Sequence, residues 1–77
     1  MERELIEYLA KALVDEPEQV DVSVIEGEKS TILELRVAPD DVGKVIGKHG
    51  RIAKSMRTVL SAASSRSGKR VVLEILD

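Results

Sequence analysis

The sequence contains no cysteine, which removes disulfides, thiolate metal sites and thiol nucleophiles together. A single histidine, His49, cannot build a histidine metal cluster or serve a two-histidine mechanism, so no metal site is expected. Tyr8 is the one aromatic residue, with Phe and Trp absent. Surfaces that stack bases on exposed rings, as RRM and OB surfaces do, are thereby excluded. No run of consecutive apolar residues exceeds three, so no membrane insertion is expected. The opening Met1-Glu-Arg-Glu-Leu-Ile-Glu7 is acidic and amphipathic and lacks the basic region and apolar core of a signal peptide, which makes the cytoplasm the expected location.

What remains is 77 residues, 43% apolar and 34% charged, enough for one small domain over 1–77. A chain of this length buries only about 60% of its unfolded surface, so a single core must hold it. The net charge of −2 averages two unlike halves. Residues 1–42 carry twelve acids against four bases, whereas residues 43–77 carry eight bases against two acids. Between Lys44 and Arg70 there are eight bases and no acid, a segregation that suits a surface facing a polyanion.

Periodicity predicts the element order. Leu5, Ile6, Leu9, Ala12 and Leu13 recur at helical spacing, and Pro17 places the helix end near Val14. Val20, Val22 and Val24 then alternate with polar residues, as do Leu33, Leu35 and Val37, and the polar link Glu26-Gly-Glu-Lys-Ser30 joins them as a hairpin. Each strand has one apolar and one charged face, as in a sheet covered on one side. Pro39 stops the second strand and opens a short helix, with Asp40 and Asp41 expected as a charge pair in its first turn. Gly47-Lys-His-Gly50 ends that helix, and another follows at once with Ile52, Met56, Val59 and Ala63 on its inner stripe and Leu60 and Ala53 at the edge. Ser64–Gly68 reads as a loop and Arg70–Leu76 as a final strand. The expectation is an α+β fold, α-β-β-α-α-β, with three helices on one face of a three-stranded mixed sheet.

The segment Val45-Ile-Gly-Lys-His-Gly-Arg-Ile52 carries the chemistry. Two glycines bracket two polar residues at a helix–helix junction in the middle of the basic half. Glycine permits unusual dihedrals and close approach of another backbone. The next helix starts there, so its unpaired N–H groups favour a phosphate. Lys48 and Arg51 add charge at that spot, with Lys44, Lys54 and Arg57 nearby, while Val45, Ile46 and Ile52 flank the loop as an apolar wall. Such a phosphate clamp beside an apolar groove suits a short single strand.

Val-Ile-Gly-Lys-His-Gly resembles the (V/I)-I-G-x-x-G signature of KH domains, and the extra N-terminal α-β resembles the type II arrangement. The helix–GxxG–helix element would span about 40–65. The stretches Glu7–Val14, Leu33–Pro39 and Gly43–Lys48 are similar to the small stand-alone bacterial KhpA family. That resemblance implies an RNA-binding protein, an RNA chaperone or post-transcriptional regulator, acting as a homodimer or with a larger KhpB/Jag-like RNA-binding partner in cell shape, division and peptidoglycan homeostasis. It implies single-stranded RNA binding by Gly47, Lys48, His49 and Gly50 and a groove role for Val45, Ile46 and Ile52; Arg51, Lys44 and Lys54 join the expected RNA-binding set on their charge and position alone. One departure is visible. Ala53 stands where many KH motifs place a large aliphatic residue, with Ile52 one position earlier, which bears on the helix register and not on the loop.

His49 on its own reads as a tolerated polar loop residue, the alternative being a contact to a phosphate or base. Leu60 and Ala62, at or beyond the stripe's edge, are candidates for a dimer surface, and Tyr8 is expected to pack at the helix–sheet boundary. Shallow contacts without stacking imply weak binding by one copy, so affinity is expected to come from dimers or partners. No catalytic residue or cofactor is expected. Gly43-Lys-Val-Ile-Gly-Lys-His49 has three residues between its glycines where a P-loop has four, and His where Ser or Thr would hold magnesium. The alternative function is a KH-fold interaction or dimerisation module whose partner supplies the RNA binding.

Overall fold

A computed structural model describes residues 1–66 and 68–76; Ser67, in the expected Ser64–Gly68 loop, and Asp77 lie outside the described residues. Helix α1 spans Glu2–Leu13, with Glu2 and Glu4 in its first turn and Lys11 in its last, both favourable to the helix dipole. A 3₁₀ turn at Pro17–Gln19 leads into strand β1 (Asp21–Glu26), which turns back into β2 (Ser30–Arg36) through a link closed by the Gly27 N–H donating to the Ser30 carbonyl at 2.8 Å. A second 3₁₀ turn at Pro39–Asp41 opens α2 (Val42–Ile46), and α3 (Arg51–Ala63) and β3 (Arg70–Leu76) complete the chain. The α-β-β-α-α-β order read from periodicity is the order observed.

The sheet order is β1-β2-β3, antiparallel between β1 and β2 and parallel between β2 and β3. A parallel neighbour cannot be reached by a tight turn, so the α2–α3 pair serves as the crossover. In register, Leu35 sits between Val22 and Ile75, and Leu33 between Val24 and Leu73. Residues two apart share a face, so these rows look towards the helices. Ile6 and Ala10 of α1, Val45 of α2, and Met56 and Leu60 of α3 close over Val22, Leu33, Leu35 and Leu73 to form the core. One carbonyl on each edge strand is occupied by a helix arginine. The Arg3 Nε–H donates to the Val22 carbonyl at 3.0 Å, and Arg57 donates from Nη2 and Nε to the Leu73 carbonyl at 3.2 and 3.4 Å. Placing charged side chains on an edge hinders pairing with a foreign strand.

Several side chains stand elsewhere than periodicity suggests. On α1 the buried positions are Ile6 and Ala10, while Leu13 is exposed and Leu9 half-buried. Leu9, Ala12 and Leu13 instead line a groove against α3. Tyr8 is 72% exposed, because two residues beyond Ile6 is a half-turn away from the core. On α3 the inner stripe is Ala53, Met56 and Leu60, continued by Ser64 just past the helix; Met56 stands as expected, but Ala53 and Leu60, expected at the edge, are buried, while Val59 and Ala63 face outwards. Leu60 is completely buried and is no candidate for a dimer surface, whereas Ala62 is exposed. Ser64 tolerates burial because its hydroxyl donates to the Leu60 carbonyl at 2.8 Å.

Asp41 is the largest departure. It is 1% exposed and makes no side-chain cap of α2. Its carboxylate accepts from the Glu16 backbone N–H at 3.0 Å and from Lys44 Nζ at 3.1 Å. Lys44 Nζ lies 3.2 Å from Asp15 as well. A buried carboxylate without partners would be strongly destabilising. Burial pushes the Asp41 pKa up, but the bonds from the Glu16 N–H, Lys44 and the Asp15 backbone outweigh it, and the carboxyl stands below its ordinary value. Hydrogen bonds to Asp41 and then Asp15 raise Lys44 above its ordinary value. The signs follow. The Asp41 contribution is present above the ordinary carboxylate pKa and is lost as pH falls through the depressed one. The Lys44 contribution is present below the ordinary lysine pKa and is lost as pH rises through the raised one.

Two stability predictions result. Leu60→Ala should cost about 2–5 kcal/mol in urea unfolding, against less than about 0.5 kcal/mol for Tyr8→Ala. The stability gap between wild type and Asp41→Asn should narrow as pH is lowered through about 4 towards 2. A gap independent of pH would show that the carboxylate charge does not stabilise the fold.

Candidate nucleic-acid interface

The Gly47–Gly50 loop is built by three residues in the left-handed half of dihedral space. Gly47 has φ 79°, His49 φ 59° and Gly50 φ 73°. The loop is closed by the Gly47 N–H on the Gly43 carbonyl at 2.9 Å and the Gly50 N–H on the Gly47 carbonyl at 3.0 Å. The two glycines serve different purposes. A Cβ on Gly47 would stand 2.6 Å from Ile52 Cγ1 and 2.9 Å from the Ile52 nitrogen, so helix α3 packs directly onto this position. A Cβ on Gly50 would meet nothing within 4 Å, so that side of the loop is open. Gly50 is glycine for its dihedral and Gly47 for both dihedral and space.

Around the loop, Lys48, His49, Arg51 and Lys54 are exposed, and among the described residues none forms an ion pair with Lys48, Arg51 or Lys54. Helix α3 begins at Arg51 with no acid in its first turn and no side-chain cap, so the positive end of its dipole is uncompensated. The structure therefore brings Gly47, Lys48, His49, Gly50, Arg51 and Lys54 to one exposed, cationic helix start.

The other residues singled out from the sequence divide. Ile46 is 37% exposed beside the loop. Val45 is fully buried in the core and cannot line a groove, because it is the residue by which the short α2 is seated on the sheet. Ile52 is half-buried against Gly47 and lines the groove between α1 and α3 with Leu9, Leu13, Met56 and Val59. That groove has a volume of about 260 Å³ and is almost wholly apolar. Lys44 is held by Asp15 and Asp41, so its charge is already matched. Sequence reasoning missed two residues. Arg57 reads as one of the cations near the loop but ties α3 to β3, and nothing in its spacing signals that. Asp41 reads as a dipole charge but is a buried anchor; its spacing of three from Lys44 is the available signal.

The geometry separates the glycines experimentally. Gly47→Ala should destabilise the fold by about 2 kcal/mol or more, since the clash includes backbone, while Gly50→Ala should cost about 1 kcal/mol, the dihedral strain alone. Equal thermal shifts would contradict the difference.

Comparisons with known proteins follow the same lines. The family model described as KhpA/KhpB, KH domain, matches residues 3–75. A protein of Borreliella burgdorferi named RNA-binding protein KhpA is 59% identical over 76 residues, 99% of this chain and 93% of that one. Its namesake in Clostridium acetobutylicum is 60% identical, covering 96% of this chain and 99% of its own. Among solved structures, Era in complex with MgGDPNP and nucleotides 1506–1542 of 16S ribosomal RNA superposes with a TM-score of 0.65 at 22% identity, over 96% of this chain and 28% of that one. At that identity the likeness concerns the fold. With a match spanning nearly its whole length and relatives close to 60% identical end to end, the chain belongs to the KhpA/KhpB KH-domain family.

Proposed function

We propose that this is an RNA-binding protein that clamps single-stranded RNA of about four nucleotides at the Gly47-Lys48-His49-Gly50 loop. The observation that carries the reading is the loop itself: an open backbone at Gly50, exposed Lys48, Arg51 and Lys54 without acidic partners among the described residues, and an uncompensated helix start. Gly47 and Gly50 give the backbone its path, Lys48 and Arg51 neutralise phosphate, His49 borders the sugar-phosphate chain, and Ile46 offers apolar contact to a base. The naming of close relatives as RNA-binding proteins supports the same conclusion. Binding rests on charge and backbone approach, not chemistry; no catalytic role is proposed.

The protein acts in the cytoplasm as an RNA chaperone or post-transcriptional regulator, in the context of cell shape and peptidoglycan homeostasis. It does so as a homodimer or with a larger KhpB/Jag-like RNA-binding partner. The apolar groove between α1 and α3, with Leu13 and Val59 exposed along it, favours a protein contact of this kind. The same groove supports a second reading, an interaction module that leaves RNA to its partner.

The double variant Lys48→Asp/His49→Asp separates the two. It should retain the wild-type circular dichroism spectrum and lose salt-sensitive fluorescence anisotropy with short single-stranded RNA. RNA binding that survives the double substitution would remove the loop from the interface. Absence of binding by the wild type at high concentration would favour the interaction module.

A further inference from the structure

We propose that Asp41, acting with Lys44, is a positioning residue for the loop, pinning the start of α2 to the α1–β1 connection and so fixing where Gly47–Gly50 stands. This rests on the RNA-clamp reading for its functional consequence but not for its structural part.

The five residues of α2, Val42–Ile46, form too few internal hydrogen bonds for it to stay helical or hold a direction unaided. Its orientation must come from what its inner face touches. Residues 41 and 45 lie four apart and share that face. Val45 is completely buried in the core, with Val42 half-buried against it, and Asp41 is 1% exposed. The apolar anchor resists withdrawal but is not directional. The carboxylate is directional: one oxygen receives the Glu16 backbone N–H at 3.0 Å and the other the Lys44 ammonium at 3.1 Å. Lys44 then reaches Asp15 at 3.2 Å, so one residue just before α2 and one within it are both tied to the segment that follows α1. The loop follows directly, with the Gly47 N–H bonded to the Gly43 carbonyl one residue before Lys44. Rotation of α2 about Val45 would carry the loop with it, and the carboxylate contacts are what oppose that rotation.

The arrangement gives Lys44 a role distinct from that of Lys48, its neighbour one turn on. Lys44 supports the loop from behind with its charge already matched, so its removal should weaken binding without removing a phosphate contact. Two measurements on Asp41→Asn and Lys44→Met test this. In the free protein, hydrogen exchange at the amides of residues 45–47 should accelerate in both variants while the β-strand amides keep wild-type protection. With a fluorescein-labelled 12-nucleotide single-stranded RNA, affinity should fall roughly five- to tenfold in both, and the two effects should be non-additive in the double variant. The slope of log affinity against log salt should stay at the wild-type value. A slope reduced by about 0.7 in Lys44→Met would identify a direct phosphate contact and overturn the assignment. Unchanged exchange at residues 45–47 would also overturn it, whatever happens with RNA. If Asp41→Asn loses strand protection as well, Lys44→Met, which leaves the buried carboxylate its backbone donor, decides alone. Failure of the wild type to bind RNA would refute the clamp and leave the exchange result standing as the test of positioning.

Discussion

Helix α2 has only five residues, and the cationic loop hangs from its end. An isolated helix of that length does not form in water, so its geometry is borrowed from its surroundings. Val45 seats it in the core, and Asp41 holds its start to the segment after α1. On the far side of the loop, α3 returns so tightly that Ile52 occupies the space a Gly47 side chain would need. The loop is thus held from both ends, and its middle, Lys48 and His49, is left exposed. Rigid flanks and a free centre suit a site that must meet a backbone with little rearrangement.

The charge segregation of the sequence acquires a more specific meaning in the fold. The basic stretch from Lys44 to Arg70 does not act as one uniform patch. Lys44 is matched by Asp15 and Asp41, and Arg57 spends its guanidinium on the Leu73 carbonyl. Around the loop, Lys48, Arg51 and Lys54 remain without acidic partners among the described residues, next to the positive end of the α3 dipole. Counting cations along the chain would overstate the charge free to meet a phosphate at the loop, because that of Lys44 is already matched.

Much of this fold was legible before the structure. Strand alternation in Val22–Val24 and Leu33–Leu35, the polar Gly-containing link between them and the prolines at 17 and 39 are local signals, and they placed the elements and their order. The loop was legible for the same reason, since two glycines at fixed spacing between helical segments form a local pattern. What could not be read was which residues on each helix face inwards. Val59 and Leu60 are equally apolar neighbours, and only the rotation of α3 about its own axis as it packs makes Leu60 core and Val59 surface. Val45 and Ile46 pose the same problem, with the opposite outcome for a groove wall. Asp41 is not legible as an anchor to Glu16 because that N–H lies 25 residues away in sequence, and no local pattern reports a contact of that range.

The central claim is that RNA meets this protein at the loop between α2 and α3. Titration of ¹⁵N-labelled protein with a short single-stranded RNA, followed by amide chemical shifts, tests it most directly. The account predicts that perturbations concentrate at residues 46–54, with the α1–α3 groove residues Leu9, Leu13 and Val59 largely unmoved. Perturbations centred on that groove, or spread evenly over the basic residues with the loop silent, would contradict it.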